Sequence, residues 1–94
     1  MKEGKHMLTV KILGSGCPNC RRLEAETRAA LDAAQPSIAY ELIKVTDFMD
    51  IMSYGIMTTP ALVINETVVS AGRIPKAEQI VYWARQFQQQ ADQA

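Results

Sequence analysis

Apolar and polar residues alternate along Leu8-Thr9-Val10-Lys11-Ile12 and then close on Leu13, the period-two pattern of a strand with one face in a core. Gly14-Ser15-Gly16 breaks it. Pro18 then suits the first turn of a helix, where the N–H that proline lacks would have no partner anyway. From there the period changes. Leu23, Thr27, Ala30, Leu31 and Ala34 fall on one helical face, and Glu24 and Arg28 form an i,i+4 pair on another. Pro36 ends this helix. The Ile-, Val- and Tyr-rich stretch Ile38–Val45 predicts a second strand. Thr46 or Asp47 caps a short helix that reaches Met52 or Tyr54, with Gly55 as its stop. Ala61-Leu62-Val63-Ile64 and Thr67-Val68-Val69-Ser70-Ala71 flank the pair Asn65-Glu66, the spacing of an antiparallel hairpin. Pro75 opens a last helix in which Ile80, Trp83, Ala84 and Phe87 recur at i, i+3, i+4 and i+7. The polar run from Gln88 to Ala94 is expected to fray.

The predicted order is β-α-β-α-β-β-α. A strand–helix–strand opening implies a parallel pair joined by a right-handed crossover. The hairpin and the last helix then complete an α/β fold, a four-stranded mixed sheet with helices on both faces. One domain is expected over residues 8–88. It is flanked by a disordered or artificially added tail at 1–7, with a native start at Met7, and by a frayed polar tail at 89–94. The chain's one histidine, His6, belongs to the first tail. Trp83 and Phe87 are expected in the core, and Tyr40, Tyr54 and Phe48 as packing residues.

Composition narrows the function. The 94 residues carry ten Lys plus Arg and ten Asp plus Glu, a formal net charge of zero. Such a balance gives neither nucleic acid nor an anionic membrane a reason to bind. No apolar run approaches the roughly 20 residues of a membrane span. A monomer located in the cytoplasm is the expectation.

The two cysteines of the chain stand together in Cys17-Pro18-Asn19-Cys20. A disulfide over so short a loop removes little chain entropy. The pair is therefore better explained by chemistry than by stability. Its place directly after a strand and at a helix start is the redox form of C-x-x-C. A helix N-terminus presents unpaired N–H groups and about half a positive charge, which favour a thiolate. The thiolate is the nucleophile. Cys17, ahead of the first turn, is expected to be the open sulfur, and Cys20, one turn further in, the shielded one. Arg21 and Arg22 add positive charge nearby.

Two stretches, Gly14-Ser15-Gly16-Cys17-Pro18-Asn19-Cys20 and Tyr54-Gly55-Ile56-Met57-Thr58-Thr59-Pro60-Ala61-Leu62-Val63-Ile64-Asn65, resemble the thioredoxin superfamily. The chain looks most like its small redox-active disulfide proteins, which share features with glutaredoxins, and the likeness runs from Leu8 to Phe87. The resemblance implies a thioredoxin-like fold in which Pro60 follows a cis peptide bond beside the cysteines. It implies that Thr59 pairs by its backbone with a substrate peptide. Three departures stand out. Gly16 replaces the tryptophan that usually precedes the first cysteine, and Pro18-Asn19 replaces Gly-Pro. Lys11 stands where thioredoxins place a buried carboxylate, so no proton acceptor for Cys20 is evident. Glutaredoxins carry a lysine where this chain has Gly14. They also have Gly-Gly and an acidic residue after the hairpin, whereas Gly72 is followed by Arg73, so the match to a glutathione site stops there.

The expected activity is thiol–disulfide exchange with disulfide-containing protein substrates, renewed by a separate reductase or electron donor and requiring no cofactor. Cys17 and Cys20 are the catalytic pair. Thr59, Pro60, Gly16, Pro18 and Gly72 are expected to bind substrate, with Gly14 beside them and Ile56 and Met57 as an apolar rim. The alternative is a soft-metal protein that holds copper or zinc on the same pair. A closed zinc site needs four ligands, however, and two cysteines with His6 fall short. One local oddity remains. A type I′ turn favours Asn-Gly because its second residue also needs positive φ, so Glu66→Gly is expected to stabilise the hairpin if that turn forms.

Overall fold

The computed structural model describes residues 7–93, so residues 1–6 of the leading tail, His6 among them, lie outside the described residues. Seven elements follow in the expected order: β1 (Leu8–Leu13), α1 (Pro18–Asp32), β2 (Tyr40–Val45), α2 (Phe48–Met52), β3 (Ala61–Ile64), β4 (Thr67–Ala71) and α3 (Ala77–Gln93). The sheet order is β2-β1-β3-β4. β1 pairs parallel with β2 from Leu8↔Tyr40 to Leu13↔Val45 and antiparallel with β3 from Val10↔Ile64 to Leu13↔Ala61. β3 and β4 form the hairpin, with Val69 as an extra residue between the pairs Leu62↔Ser70 and Val63↔Val68.

The strand pleat sorts side chains into two cores. Leu8, Val10, Ile12, Leu62 and Ile64 face one side, where Leu23, Leu31, Ile80 and Ala84 of α1 and α3 cover them. Leu13, Ala61 and Val63 face the other side and meet Ile51 of α2 and Ile56. β3 is buried on both faces, as a central strand between helical layers must be. The predicted α1 face holds: Leu23, Thr27, Ala30, Leu31 and Ala34 are all buried. Trp83 and Phe87 pack partly buried at the rim of the larger core.

Some boundaries differ from those the local signals suggest. β2 begins at Tyr40 rather than Ile38, because Ile38 is buried in the loop after the cis Gln35–Pro36 bond. α3 begins two residues after Pro75. The Lys76 carbonyl accepts from the N–H groups of Gln79 (3.0 Å) and Ile80 (3.1 Å), which makes Lys76 the helix cap. α3 also continues to Gln93, past Gln88 where fraying was expected, since Gln and Ala are good helix formers. Phe48 is not a packing residue: it is 69% exposed, and Ile51 anchors α2 instead. Asp47 caps α2 as expected, its carboxylate accepting from the Asp50 N–H at 3.1 Å.

The hairpin turn has positive φ at both Asn65 (49°) and Glu66 (66°), as a type I′ turn requires. Asn65 locks it to β1 by accepting from the Thr9 N–H at 2.9 Å and donating its own N–H to the Thr9 carbonyl at 2.8 Å. Glu66 is more than a poor turn residue. Its carboxylate accepts from the Lys11 ammonium at 2.7 Å and from the Tyr54 hydroxyl at 2.7 Å, and Lys11 also donates to the Tyr54 oxygen at 2.9 Å. The Lys11 hydrogen bond, then the Tyr54 one, hold the Glu66 carboxyl below its ordinary range, and the same contacts push the Lys11 ammonium well above its own.

The pair therefore contributes stability above the unfolded carboxylate value of about 4.3 and loses it as pH falls through the lower folded value. On the alkaline side the contribution persists below about 10.4 and is lost as pH rises through the higher folded Lys11 value. Glu66→Gln is expected to melt below wild type at neutral pH, with the gap closing near pH 2.5. Glu66→Gly is expected to melt above Glu66→Gln at both pH values, because both lose the carboxylate and only glycine accepts positive φ freely. Thermal melts of the three proteins at the two pH values test this, and a glycine variant that melts lower than the glutamine variant contradicts it.

Candidate active site

β1 ends at Leu13, and Gly14–Gly16 carry the chain to the N-terminus of α1. Cys17 is the helix cap, with extended backbone (φ −65°, ψ 165°), and Pro18 occupies the first helical turn. The Cys20 backbone N–H points at the Cys17 sulfur at 3.2 Å, and the Arg21 N–H donates to the Cys17 carbonyl at 3.0 Å. The sulfur thus takes the place of the Ser or Asp oxygen of an ordinary cap. The two cysteines are joined as a disulfide. Cys17 is half-buried and reachable, whereas Cys20 is buried, the asymmetry expected from their places on the helix.

The basic residues divide. The Arg21 guanidinium donates to the Gly16 carbonyl at 2.6 Å and so closes the turn ahead of the cysteine. Arg22 lines a cleft with Asn19, Thr59, Pro60, Gly72 and Lys76. Lys11 is directed away from the cysteines, since its partner Glu66 lies at the hairpin turn, beyond the end of β3 that pairs with Val10.

The Thr59–Pro60 peptide is cis, with Pro60 buried and Thr59 exposed. Leu13↔Ala61 pairing brings this segment to the same sheet end as the cysteine loop. Gly14 sits between the two. A Cβ there would collide with the Cys20 sulfur and lie 4.0 Å from the Pro60 Cα. The Gly72 N–H donates to the Pro60 carbonyl at 2.8 Å, and a Cβ on Gly72 would fall 2.7 Å from the Thr58 hydroxyl. Gly72 therefore braces the proline loop while remaining exposed on the cleft that Thr59 and Pro60 also line. Gly16 and Pro18 are exposed on either side of Cys17. Of the expected apolar rim, Ile56 is buried in the smaller core and Met57 is 92% exposed, and both line one cleft. Phe48 and Met52 join Met57, Thr58, Thr59 and Ser15 around this second cleft. Thr59 belongs to both clefts, one cationic and one apolar.

Glu24 is a residue whose surroundings the sequence reading missed. It pairs with Arg28 (3.2 Å) as expected, but also with Lys44 of β2 (3.6 Å), and it lines a cavity of about 140 Å³ together with Cys20, Ile12, Gly14 and Thr46. The i,i+4 spacing of Cys20 and Glu24 was the available signal. No group of three or more His, Cys, Asp or Glu gathers among the described residues, so the cysteine pair has no partners there for a four-ligand zinc site. No helix among the described residues is long and apolar enough to cross a membrane.

Comparison with known proteins agrees with this geometry. A family model described as a thioredoxin domain matches residues 8–85. The thioredoxin of Methanocaldococcus jannaschii is 31% identical over 74 residues, which cover 79% of this chain and 83% of that protein. The thioredoxin of Methanothermobacter thermautotrophicus is also 31% identical over 74 residues, covering 79% of this chain and 94% of its own. Among solved structures, the N-terminal domain of Synechococcus elongatus SasA superposes with a TM-score of 0.60 at 17% identity, over 100% of this chain and 91% of the other. Chlamydomonas reinhardtii thioredoxin f2 gives 0.54 at 15% identity, over 92% and 83%. These two likenesses concern the fold. The family match spans nearly all of the elements that carry the site, and on it and the two sequence relatives the chain belongs to the thioredoxin-domain family and is a thiol–disulfide oxidoreductase.

Proposed function

We propose that the protein exchanges disulfides with protein substrates through Cys17 as the attacking sulfur and Cys20 as the resolving one. The observation that carries this reading is the asymmetric pair itself. Cys17 is reachable with a helix N–H aimed at its sulfur, and Cys20 is buried one turn behind it. In the reduced protein the Cys17 thiolate attacks a substrate disulfide. One substrate sulfur leaves as a thiolate, and a Cys17–substrate disulfide forms. Cys20 then attacks Cys17, the second substrate sulfur leaves with the electron pair, and the Cys17–Cys20 disulfide is restored. The substrate is reduced by two electrons, and a separate electron donor returns the protein to the dithiol.

Exposed Thr59, one residue before buried Pro60, lines both clefts, a position that suits backbone pairing with an extended substrate segment. Gly16 and Pro18 flank the reachable sulfur without bulk. In this reading the protein acts as a monomer in the cytoplasm.

Cys17→Ser is expected to abolish reduction of a disulfide-containing protein. Cys20→Ser is expected to hold the substrate as a covalent adduct, visible by non-reducing electrophoresis and mass spectrometry. Trapping by the Cys17 variant and not by the Cys20 variant reverses the assignment. Tight Cu(I) binding by a protein with no reversible two-electron couple favours the soft-metal alternative. Gly14→Ala drives a methyl group into the Cys20 side chain and is expected to cost about 1–3 kcal/mol of stability, read from denaturant unfolding of the reduced protein. Unchanged stability contradicts the close approach.

A further inference from the structure

Lys11 replaces the carboxylate that would stand behind Cys20, and its ammonium is committed to Glu66 and Tyr54 near the hairpin turn. The buried thiol must nevertheless lose its proton before it attacks Cys17, because only the thiolate is nucleophilic. Burial works against that loss by disfavouring the charged form. The cavity beside Cys20 supplies an answer from another element. Cys20 and Glu24 are i and i+4 on α1, which sets their Cβ atoms about 5–6 Å apart on one face. Both line the cavity of about 140 Å³, ample for a water that needs roughly 10–15 Å³. Thr46 and Lys44 on its wall supply further polar partners. Arg28 Nε at 3.2 Å and Lys44 Nζ at 3.6 Å hold the two Glu24 oxygens from either side. The charged groups on the cavity are thus Glu24 and Arg21 from α1 and Lys44 from β2. Arg28 stands behind Glu24, and Arg21 is turned to the Gly16 carbonyl.

We propose that Glu24 is the proton acceptor for Cys20, reached through one water in this cavity. As the Cys20 S–H bond breaks, its proton passes to the water while the water gives one to the Glu24 carboxylate. The Cys20 electron pair forms the bond to the Cys17 sulfur, and the bond from Cys17 to the substrate sulfur breaks, with the substrate leaving as thiolate. In the reverse direction the Glu24 carboxyl reprotonates Cys20 as the disulfide opens. This deepens the reading above and rests on its order of sulfurs, Cys17 first and Cys20 second.

A symmetric aromatic disulfide, 5,5′-dithiobis(2-nitrobenzoate), separates the steps because each exchange releases one coloured thiolate. Mixed with the reduced protein in stopped flow, the first phase reports Cys17 attack and the second reports Cys20 attack. Glu24→Gln is expected to slow the second phase about tenfold or more between pH 5 and 7. The deficit should narrow as pH rises beyond about 8.5, the value for a free thiol, because hydroxide increasingly replaces the carboxylate as proton acceptor. The first phase should stay within about twofold of wild type. Glu24→Asp should recover part of the rate. Arg28→Met, which removes the ion pair and leaves the carboxylate, should keep the second phase within about twofold. A second phase in Glu24→Gln that matches wild type across this range overturns the proposal. So does equal slowing in Glu24→Gln and Arg28→Met, or equal slowing of both phases, since each marks a structural or general electrostatic effect. A wild-type protein that shows both phases yet leaves protein disulfides intact defeats the substrate reading alone.

Discussion

The Cys20 backbone N–H aimed at the Cys17 sulfur at 3.2 Å is the contact on which the chemistry depends. It exists because Cys17 takes the capping position of α1, where the first N–H groups have no helical acceptor. A sulfur that takes one of those hydrogen bonds is better stabilised as thiolate than as thiol. Pro18 enforces the arrangement by fixing φ at the first helical position without adding a competing N–H. The same geometry keeps Cys20 one turn inward, buried and within reach of Cys17. One helix start thus produces the difference between an attacking sulfur and a resolving one.

The sheet holds that helix start in place. β1 is bonded on both edges, to β2 and β3, and its alternate side chains enter both cores. The loop that leaves it is therefore anchored to a strand held by neighbours on both edges. Leu13↔Ala61 pairing sets the cis-proline segment beside that loop. Gly14 allows the Cys20 side chain to pack against the strand end, and Gly72 ties Pro60 from β4 by a 2.8 Å hydrogen bond. Residues from four separate parts of the chain meet at one sheet end through backbone pairing rather than through a network of charged side chains. The main charged network, Lys11–Glu66–Tyr54, serves the opposite end, where it fastens the hairpin turn and α2's exit to the central strand.

Much of this was legible in the residues because it follows from short-range rules. The periodicity of Leu23, Thr27, Ala30, Leu31 and Ala34 gave the buried helix face. Asp47 and Gly55 bracketed α2, and the Asn65-Glu66 spacing marked the turn. Cys17 and Cys20 were found by their place between a strand and a helix, and the cis bond before Pro60 came from family resemblance rather than from any local pattern. What escaped was set by register and tertiary contact. Lys11, Tyr54 and Glu66 come from three elements and meet only once the sheet is assembled. Phe48 has an apolar side chain, and nothing in its neighbours' pattern shows that α2 turns Ile51 inward and leaves Phe48 in solvent. Glu24 was read as a surface partner of Arg28 because the proximity of Lys44 depends on the parallel pairing of β1 and β2.

The central claim is that the helix start makes Cys17 an acidic, open thiol. Its most direct test is the rate of alkylation of Cys17 against pH in the reduced Cys20→Ser protein, where the backbone N–H is retained and the second sulfur is gone. The expected half-maximal rate lies at least one pH unit below the value of about 8.5 for free cysteine. A titration that coincides with free cysteine would contradict it, because the amide contact would then leave the sulfur's chemistry unchanged.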